Sequence, residues 1–443
     1  MIETIKNAFK IKEIRNKIFM TFLLVLIYRI GCYIPIPGID RAVFESTVAG
    51  NDFFSIMSAI TGGALSQGTL LALGISPYIN AQIIMQLLTV AIPGLERLSK
   101  EGEEGRKKIG RITRWMTLGI AIINAVGILF AFDASECFNT TMFGNEVVLP
   151  VWTLFIMVTI ILVAGSMLTM WLGERITEHG VSNGISILIF VGILASGGQA
   201  ILNNIYGIVD NGFTNGGGWN LILFIGILLV VFAFIIWVDG AERKLKVQYA
   251  KQVKGNKIYG GQATYIPIKV NGGGVLPLIF AFSLLSFPQM ILSFFGTGEN
   301  SAYMWWTRNM TASGGTWWGT VLYLVFMTVW IFVFAFFYAQ IQFNPTEISK
   351  NIQQNGGFLP GIRPGKATSD YLSGTIMRIT FWGAVFLAIM ALLPSTVFTL
   401  VGNSALTNAY SASGLLIVVS VALEFDKALQ NQIMMRHYKG FLK

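Results

Sequence analysis

The chain has 443 residues, of which 54% are hydrophobic and 12% charged, and a formal net charge of +9. Soluble domains carry about 25% charged residues, and here the apolar residues run in long blocks rather than amphipathic stripes, which excludes a large soluble core as the main architecture. With two histidines, two cysteines (Cys32 and Cys137) and no HExxH or GxSxG, metalloprotease, hydrolase and redox readings find no support.

In chain order, ten blocks are long enough, or nearly so, to cross a bilayer: 18–34, 73–93, 115–132, 150–172, 184–202, 219–238, 275–296, 317–339, 376–393 and 404–424. The fold class is therefore an all-α polytopic membrane protein. Lys-rich residues 1–17 precede the first block as a signal peptide would, but that block is too long for a cleaved leader and "CYIPIPGID" offers no cleavage site, so it is expected to span. Trp115, Trp152, Trp171, Trp219, Trp237, Trp305, Trp306, Trp317 and Trp318 fall near block ends, where an indole keeps its ring in lipid and its N–H in water. Ten spans put both termini on one side, and 28 of the 31 basic residues lie on that side, which is therefore expected to be cytoplasmic.

Between the first two blocks lies "FFSIMSAITGGAL", 53–65, apolar and uncharged but too short to cross. Its polar face is thin for an interfacial helix, and a re-entrant piece needs protein or water around it. Inside the blocks the ionisable residues are Arg29 and Glu424, with Arg378 at an edge. A coupled transporter usually holds a midplane carboxylate, so that reading loses weight. The blocks do carry neutral polar residues: Asn80, Gln82 and Gln86 in the second, Ser283, Ser286 and Gln289 in the seventh. These fit ordinary helix–helix hydrogen bonding or a water-accessible seam.

Two cytoplasmic connections, 239–274 and 340–372, are too long for turns. The first holds "KLKVQYA" and "QATYIPIKV", a basic β-hairpin suited to an acidic docking partner or to setting topology alone. In the second, Pro360 and Pro364 frame Arg363 and fix the backbone around it. "GIRPGKA" at 361–367 ends in Gly-Lys like a phosphate-binding loop, but Pro360 and Ala367 replace the required Gly and Ser/Thr, so ATP binding is rejected.

"YRIGCYIPIPGID" (28–40), "GISPYINAQIIMQLL" (74–88), "KEGEEGRKKI" (100–109), "GVSNGISILIF" (180–190), "VQYAKQ" (247–252), "GGGVLPLIFA" (272–281), "FNPTEISKNIQQNGGFLPGIRPGK" (343–366) and "GLLIVVSVALE" (414–424) together resemble the SecY family, the central channel subunits of the bacterial protein translocase. The resemblance implies ten transmembrane helices in two inverted-repeat halves of five, 18–205 and 206–426, around an hourglass pore, with a cytoplasmic segment 1–17 and tail 427–443. It implies a pore ring of Ile79, Ile83, Ile185, Ile189, Ile279 and Ile417, and a plug near 53–67 comprising Phe54, Ser55, Ile56, Met57, Ser58, Ala59, Ile60, Thr61, Gly62 and Gly63. Phe54–Ile60 would rest on the ring, with the glycines ending the short helix.

A lateral gate would use Asn80, Gln86, Ser283 and Ser286, and Arg243, Lys251, Lys257 and Arg363 would dock partners. The implied partners are the small membrane subunits SecE and SecG, the SecA motor, the ribosome, signal sequences, unfolded client polypeptides and lipid, in the bacterial inner membrane; no cofactor is implied. After "FNP" some members carry arginine where this chain has Thr346. A small-solute transporter is the runner-up, and an intramembrane enzyme, lacking a catalytic set, comes third.

Overall fold

The structure is a computed structural model that describes residues 2–49, 57–58, 61–131, 138, 150–211, 217–249, 252–254, 257–259, 263–293, 301–310, 317–401 and 412–440. The chain begins with α1 (Ile2–Lys10), α2 (Lys12–Gly31) and α3 (Arg41–Ala49), then α4 (Ser76–Ala91), α5 (Pro93–Lys100), α6 (Glu103–Ala131), α7 (Val151–His179), α8 (Gly184–Asn211) and α9 (Gly217–Asp239). Strands β1 (Glu242–Tyr249), β2 (Gln252–Lys254), β3 (Lys257–Tyr259) and β4 (Ala263–Lys269) follow. The remainder comprises α10 (Leu276–Ser293), α11 (Ser301–Asn309), α12 (Trp317–Gln342), α13 (Pro345–Gln354), β5 (Gly357–Phe358), α14 (Lys366–Val401) and α15 (Ala412–Gly440).

Each of the ten apolar blocks overlaps a helix, and the differences lie at the ends. α6 starts at Glu103 and α14 at Lys366, well before their apolar blocks, and α7 runs on to His179. Hydropathy marks only the lipid-facing length of a helix, whereas backbone hydrogen bonding carries polar turns onward into water. By length and composition five helices of the described residues can cross a bilayer, or six if α4 and α5, bent by 101°, form one span. α2 falls outside that count because Arg15, Lys17 and Arg29 interrupt its apolar run, and α15 because Glu424, Asp426 and Lys427 follow its apolar half. The surface carries large exposed side chains such as Phe22, Val230, Trp237, Trp318 and Trp382. Spread over most of the long helices, such a surface suits lipid and would aggregate in water.

Local chemistry explains the breaks. Pro93 removes a helical N–H and pushes Ile92 to extended geometry (φ −106°, ψ 112°), so α4 ends and α5 leaves at a steep angle. On α5, Lys100 Nζ donates to Glu96 Oε1 at 2.6 Å, and this bond holds the exposed Glu96 carboxyl below its usual range. α13 starts on Asn344, whose side chain accepts from Glu347 N, with Pro345 at the first helical position.

The predicted hairpin forms as β1 against β4, antiparallel from Glu242↔Lys269 to Gln248↔Ala263. Leu245 and Val247 are buried while Lys244 and Lys246 are exposed, the alternation a one-sided sheet requires. β5 adds to the other edge of β1 through Gln248↔Phe358 and Tyr249↔Gly357. The two long connections thus share one core, made of Leu245, Val247, Ile268, Ile352, Leu359, Leu372 and Ile376 among others.

Helix contacts fall into two sets. α4, α6, α7, α8 and α2 pack together, as do α9, α10, α12, α14 and α15, and the sets touch through α6–α10, α8–α9 and α8–α15. Residues 64–75 pack against α2 and α7 without a long helix and mostly buried. Their backbone bonds partly within the segment, as Thr69 N to Ala64 O (3.2 Å) and Gly74 N to Leu71 O (2.9 Å), and partly with the 34–36 stretch, where Leu70 N donates to Ile34 O at 2.8 Å and Ile36 N to Gly68 O at 3.0 Å. Irregular backbone within the apolar region is tolerated on that condition.

Gly165 on α7 lets this segment approach, since a Cβ there would collide with the Leu70 carbonyl. Gly119 on α6 has no atom within 4 Å of its Cβ position. Gly165→Ala is therefore expected to destabilise the detergent-purified chain by about 1–3 kcal/mol through overpacking. Gly119→Ala should be neutral, or stabilising by up to about 1 kcal/mol through helix propensity. Thermal denaturation of the two variants beside the parent checks this, and equal midpoints for Gly165→Ala and the parent would rule out the close approach.

Candidate pore, plug and docking surface

The six isoleucines come from four helices. Ile79 and Ile83 lie one turn apart on α4, Ile185 and Ile189 one turn apart on α8, Ile279 on α10 and Ile417 on α15. An i,i+4 pair shares a helix face, so each of the first two helices presents two β-branched side chains together. Ile83, Ile189 and Ile417 are only 8%, 6% and 4% exposed. Ile189 and Ile417 belong to one apolar cluster on which Ile79, Ile185 and Ile279 pack, and Ile83 belongs to the adjoining cluster, on which Ile79 and Ile279 also pack. α4 and α10 thus join the two clusters through these side chains.

Of the plug residues, Phe54, Ser55, Ile56, Ala59 and Ile60 lie outside the described residues. Met57, Ser58 and Thr61 are helical. Ser58 organises the turn that follows: its carbonyl accepts from Gly63 N (2.8 Å) and Thr61 Oγ1 (3.1 Å), and its Oγ accepts from Ser66 N (3.3 Å). Gly62 (φ +74°) and Gly63 (φ +86°) end the turn in the left-handed region that glycine alone enters cheaply. Met57 belongs to a third cluster, with Phe44, Val48, Leu73 and Ile128, and not to either isoleucine cluster. The glycine end meets α8, because a Cβ on Gly62 would lie 3.2 Å from Gly192, three residues past Ile189.

Asn80 and Gln86 on α4 and Ser283 on α10 are half-buried, and the side chain of Ser286 lies outside the described residues. α6 and α10 are in contact, which brings the two helix sets together on this side. Sequence reasoning missed Asn124 on α6, which is buried with an Oδ1 that has no hydrogen-bond partner among the described residues. The signal available was the one used for Asn80, a neutral amide inside an apolar block. It also missed the Arg114–Glu174 ion pair (Nε–Oε1 2.9 Å) that ties α6 to α7.

On the polar side, Arg243 is exposed on β1 opposite Ile268. Lys257 lies on β3 with its side chain outside the described residues, and Lys251 is outside them altogether. Arg363 is exposed on a turn whose backbone is held at several points: Ile362 N donates to Leu359 O (3.0 Å), Thr368 Oγ1 to Arg363 O (2.8 Å) and Ser349 Oγ to Gly365 O (2.8 Å). Gly361 (φ +82°) and Gly365 (φ +101°) bracket the turn. Thr346, where arginine was the alternative, turns its hydroxyl back to donate to Asn344 Oδ1 at 2.6 Å and so reinforces the start of α13. Burial pushes the Lys427 ammonium, at the start of the tail, below its usual range, with Lys269 beside it adding to the effect.

Comparison with known proteins gives consistent results. A family model described as SecY matches residues 69–425. A protein translocase subunit SecY of Streptomyces galbus is 39% identical over 453 residues, covering 100% of both chains. Two solved structures, each 19% identical and covering 94% of this chain and 92% of their own, share the fold. One, with TM-score 0.65, is described as showing that the plug domain of the SecY protein stabilises the closed state of the translocation channel and maintains a membrane seal. The other, with TM-score 0.63, is Sec61 in the canine ribosome-channel complex from the endoplasmic reticulum. With a family model spanning most of its length and a full-length relative at this identity, the chain, a multi-pass membrane protein, belongs to the SecY family.

Proposed function

We propose that this chain is a protein-conducting channel, which passes unfolded polypeptides across the membrane and releases hydrophobic segments sideways into lipid. The observation that carries the reading is the convergence of the ring isoleucines from α4, α8, α10 and α15 where the two helix sets meet, with the glycine end of the 53–67 segment against α8. In this reading the sets are two inverted halves of five spans each around an hourglass pore. The stiff apolar side chains close its waist into a dewetted constriction that blocks ions and offers a passing peptide nothing to bind. Residues 53–67 are the plug on its outer side.

The seam between α4–α6 and α10–α12 is the lateral gate, and its neutral amides and hydroxyls make contacts that water or a client can replace. The chain acts as a conduit and not as an enzyme. The hairpin and the Arg363 turn face the cytoplasm with both termini, in the inner membrane of a bacterium. They dock the ribosome and the SecA motor, while SecE and SecG complete the membrane complex. The short cytoplasmic turn has its backbone tied down at four atoms, so the Arg363 guanidinium is presented with little ordering cost to an acidic partner surface.

Two measurements test this reading. Replacing Ile83, Ile189 and Ile279 together by serine should wet the waist and raise resting ion conductance in planar bilayers several-fold. Conductance equal to that of the parent would remove the ring assignment. Arg363→Glu should leave chain abundance and thermal stability near those of the parent while cutting motor-driven export by at least about tenfold, since it reverses a presented charge at a docking rim. Equal export from vesicles of equal channel content would exclude Arg363 from docking.

A further inference from the structure

Arg29 is the one basic residue well inside the first apolar block, and the structure places it against the plug segment. Its Nη2 lies 3.5 Å from Tyr33 Oη, and its guanidinium stacks over the Tyr33 ring at 5.6 Å from the centroid. One prong of the rigid fork is thereby held on the α2 side. The other, Nη1, is buried and has no hydrogen-bond partner among the described residues. It is turned onto Gly62, where a Cβ would collide with it, and Gly192 of α8 closes the far side at 3.2 Å from that Cβ position. Cys32, one turn along from Arg29, lies with its Sγ 3.9 Å from Thr61 O, so the end of α2 meets the same corner of the segment at two residues.

Two effects oppose each other here. A cation beside carbonyls that end a helical turn, such as those of Ser58 and Thr61, is favourable, but only modestly. A charged N–H stranded without an acceptor forfeits more than that, because it loses its water and gains nothing in return. The stranded donor wins. We infer that Arg29 is a release spring: it raises the free energy of the seated plug, so that an arriving hydrophobic segment displaces the plug more readily and Nη1 then regains water. The inference rests on the plug reading of residues 53–67.

The test uses the full chain in vesicles of phosphatidylethanolamine and phosphatidylglycerol. The reporter is Ser58→Cys in a Cys32→Ser, Cys137→Ser background, because Ser58 is buried in the seated segment and is labelled by N-ethylmaleimide only when the segment opens. Arg29→Met should slow labelling roughly five-fold. Arg29→Lys, which keeps the charge but lacks the second nitrogen, should slow it comparably. Gly62→Ala, which drives a methyl onto Nη1, should speed it several-fold. Labelling of Arg29→Met at or above the parent rate, or of Arg29→Lys at the parent rate, would overturn the spring. Resting conductance of the chain lacking residues 54–65 separates the two ideas. A rise with unchanged Arg29→Met labelling leaves the plug and removes the spring, and no rise removes both.

Discussion

Everything in this fold answers to one condition: a backbone amide or a charge within the hydrocarbon layer has no water to satisfy it. Long helices meet the condition within themselves, which is why the apolar blocks are helical and, among the described residues, the strands β1–β5 lie in the two long connections. Where the chain abandons the helix inside the apolar region, at residues 64–75, it borrows partners from the stretch beside it, as Leu70 does from Ile34. The condition also sets where charge can go. Ion pairs such as Arg114–Glu174 lie just beyond the apolar blocks, and the guanidinium of Arg29, within an apolar run, keeps one nitrogen without a partner among the described residues.

The proposed ring follows from the same condition in reverse. A waist that must stop ions without binding peptide can use neither polar nor flexible side chains. Isoleucine, branched at Cβ, is stiff, apolar and bulky enough to close a gap from four directions. Glycine supplies the complementary need. Gly165 admits the Leu70 backbone against α7, and Gly62 lies against Gly192 of α8 and Arg29, so the irregular segment comes close to its neighbours at both points. The polar side works by ordinary rules, since alternate burial along β1, an Asn–Pro helix start and a tied turn join the described parts of 239–274 and 340–372 around one shared core.

Much of this was legible in one dimension. Apolar blocks of spanning length, the bias of Lys and Arg, the tryptophans at block ends and the alternation in "KLKVQYA" each reflect a local rule, in which the residue's own chemistry decides its environment. Those rules determined a helical membrane chain with a basic hairpin on one face, and the quoted motifs determined its family. The tertiary structure alone decided contacts between residues far apart in sequence. No local rule pairs Phe358 with Gln248, ties Ser349 to Gly365 across the Arg363 turn, or lets Ile279 pack beside isoleucines from three other helices. The proposed plug segment shows the division most clearly. Its length, apolarity and terminal glycines were readable, but Met57 facing Phe44 and Ile128 instead of the ring, and Arg29 facing Gly62, depend on how α2, α6 and α8 pack. Packing partners are set by shape and by the global exclusion of water, and neither is a property of any short stretch of chain.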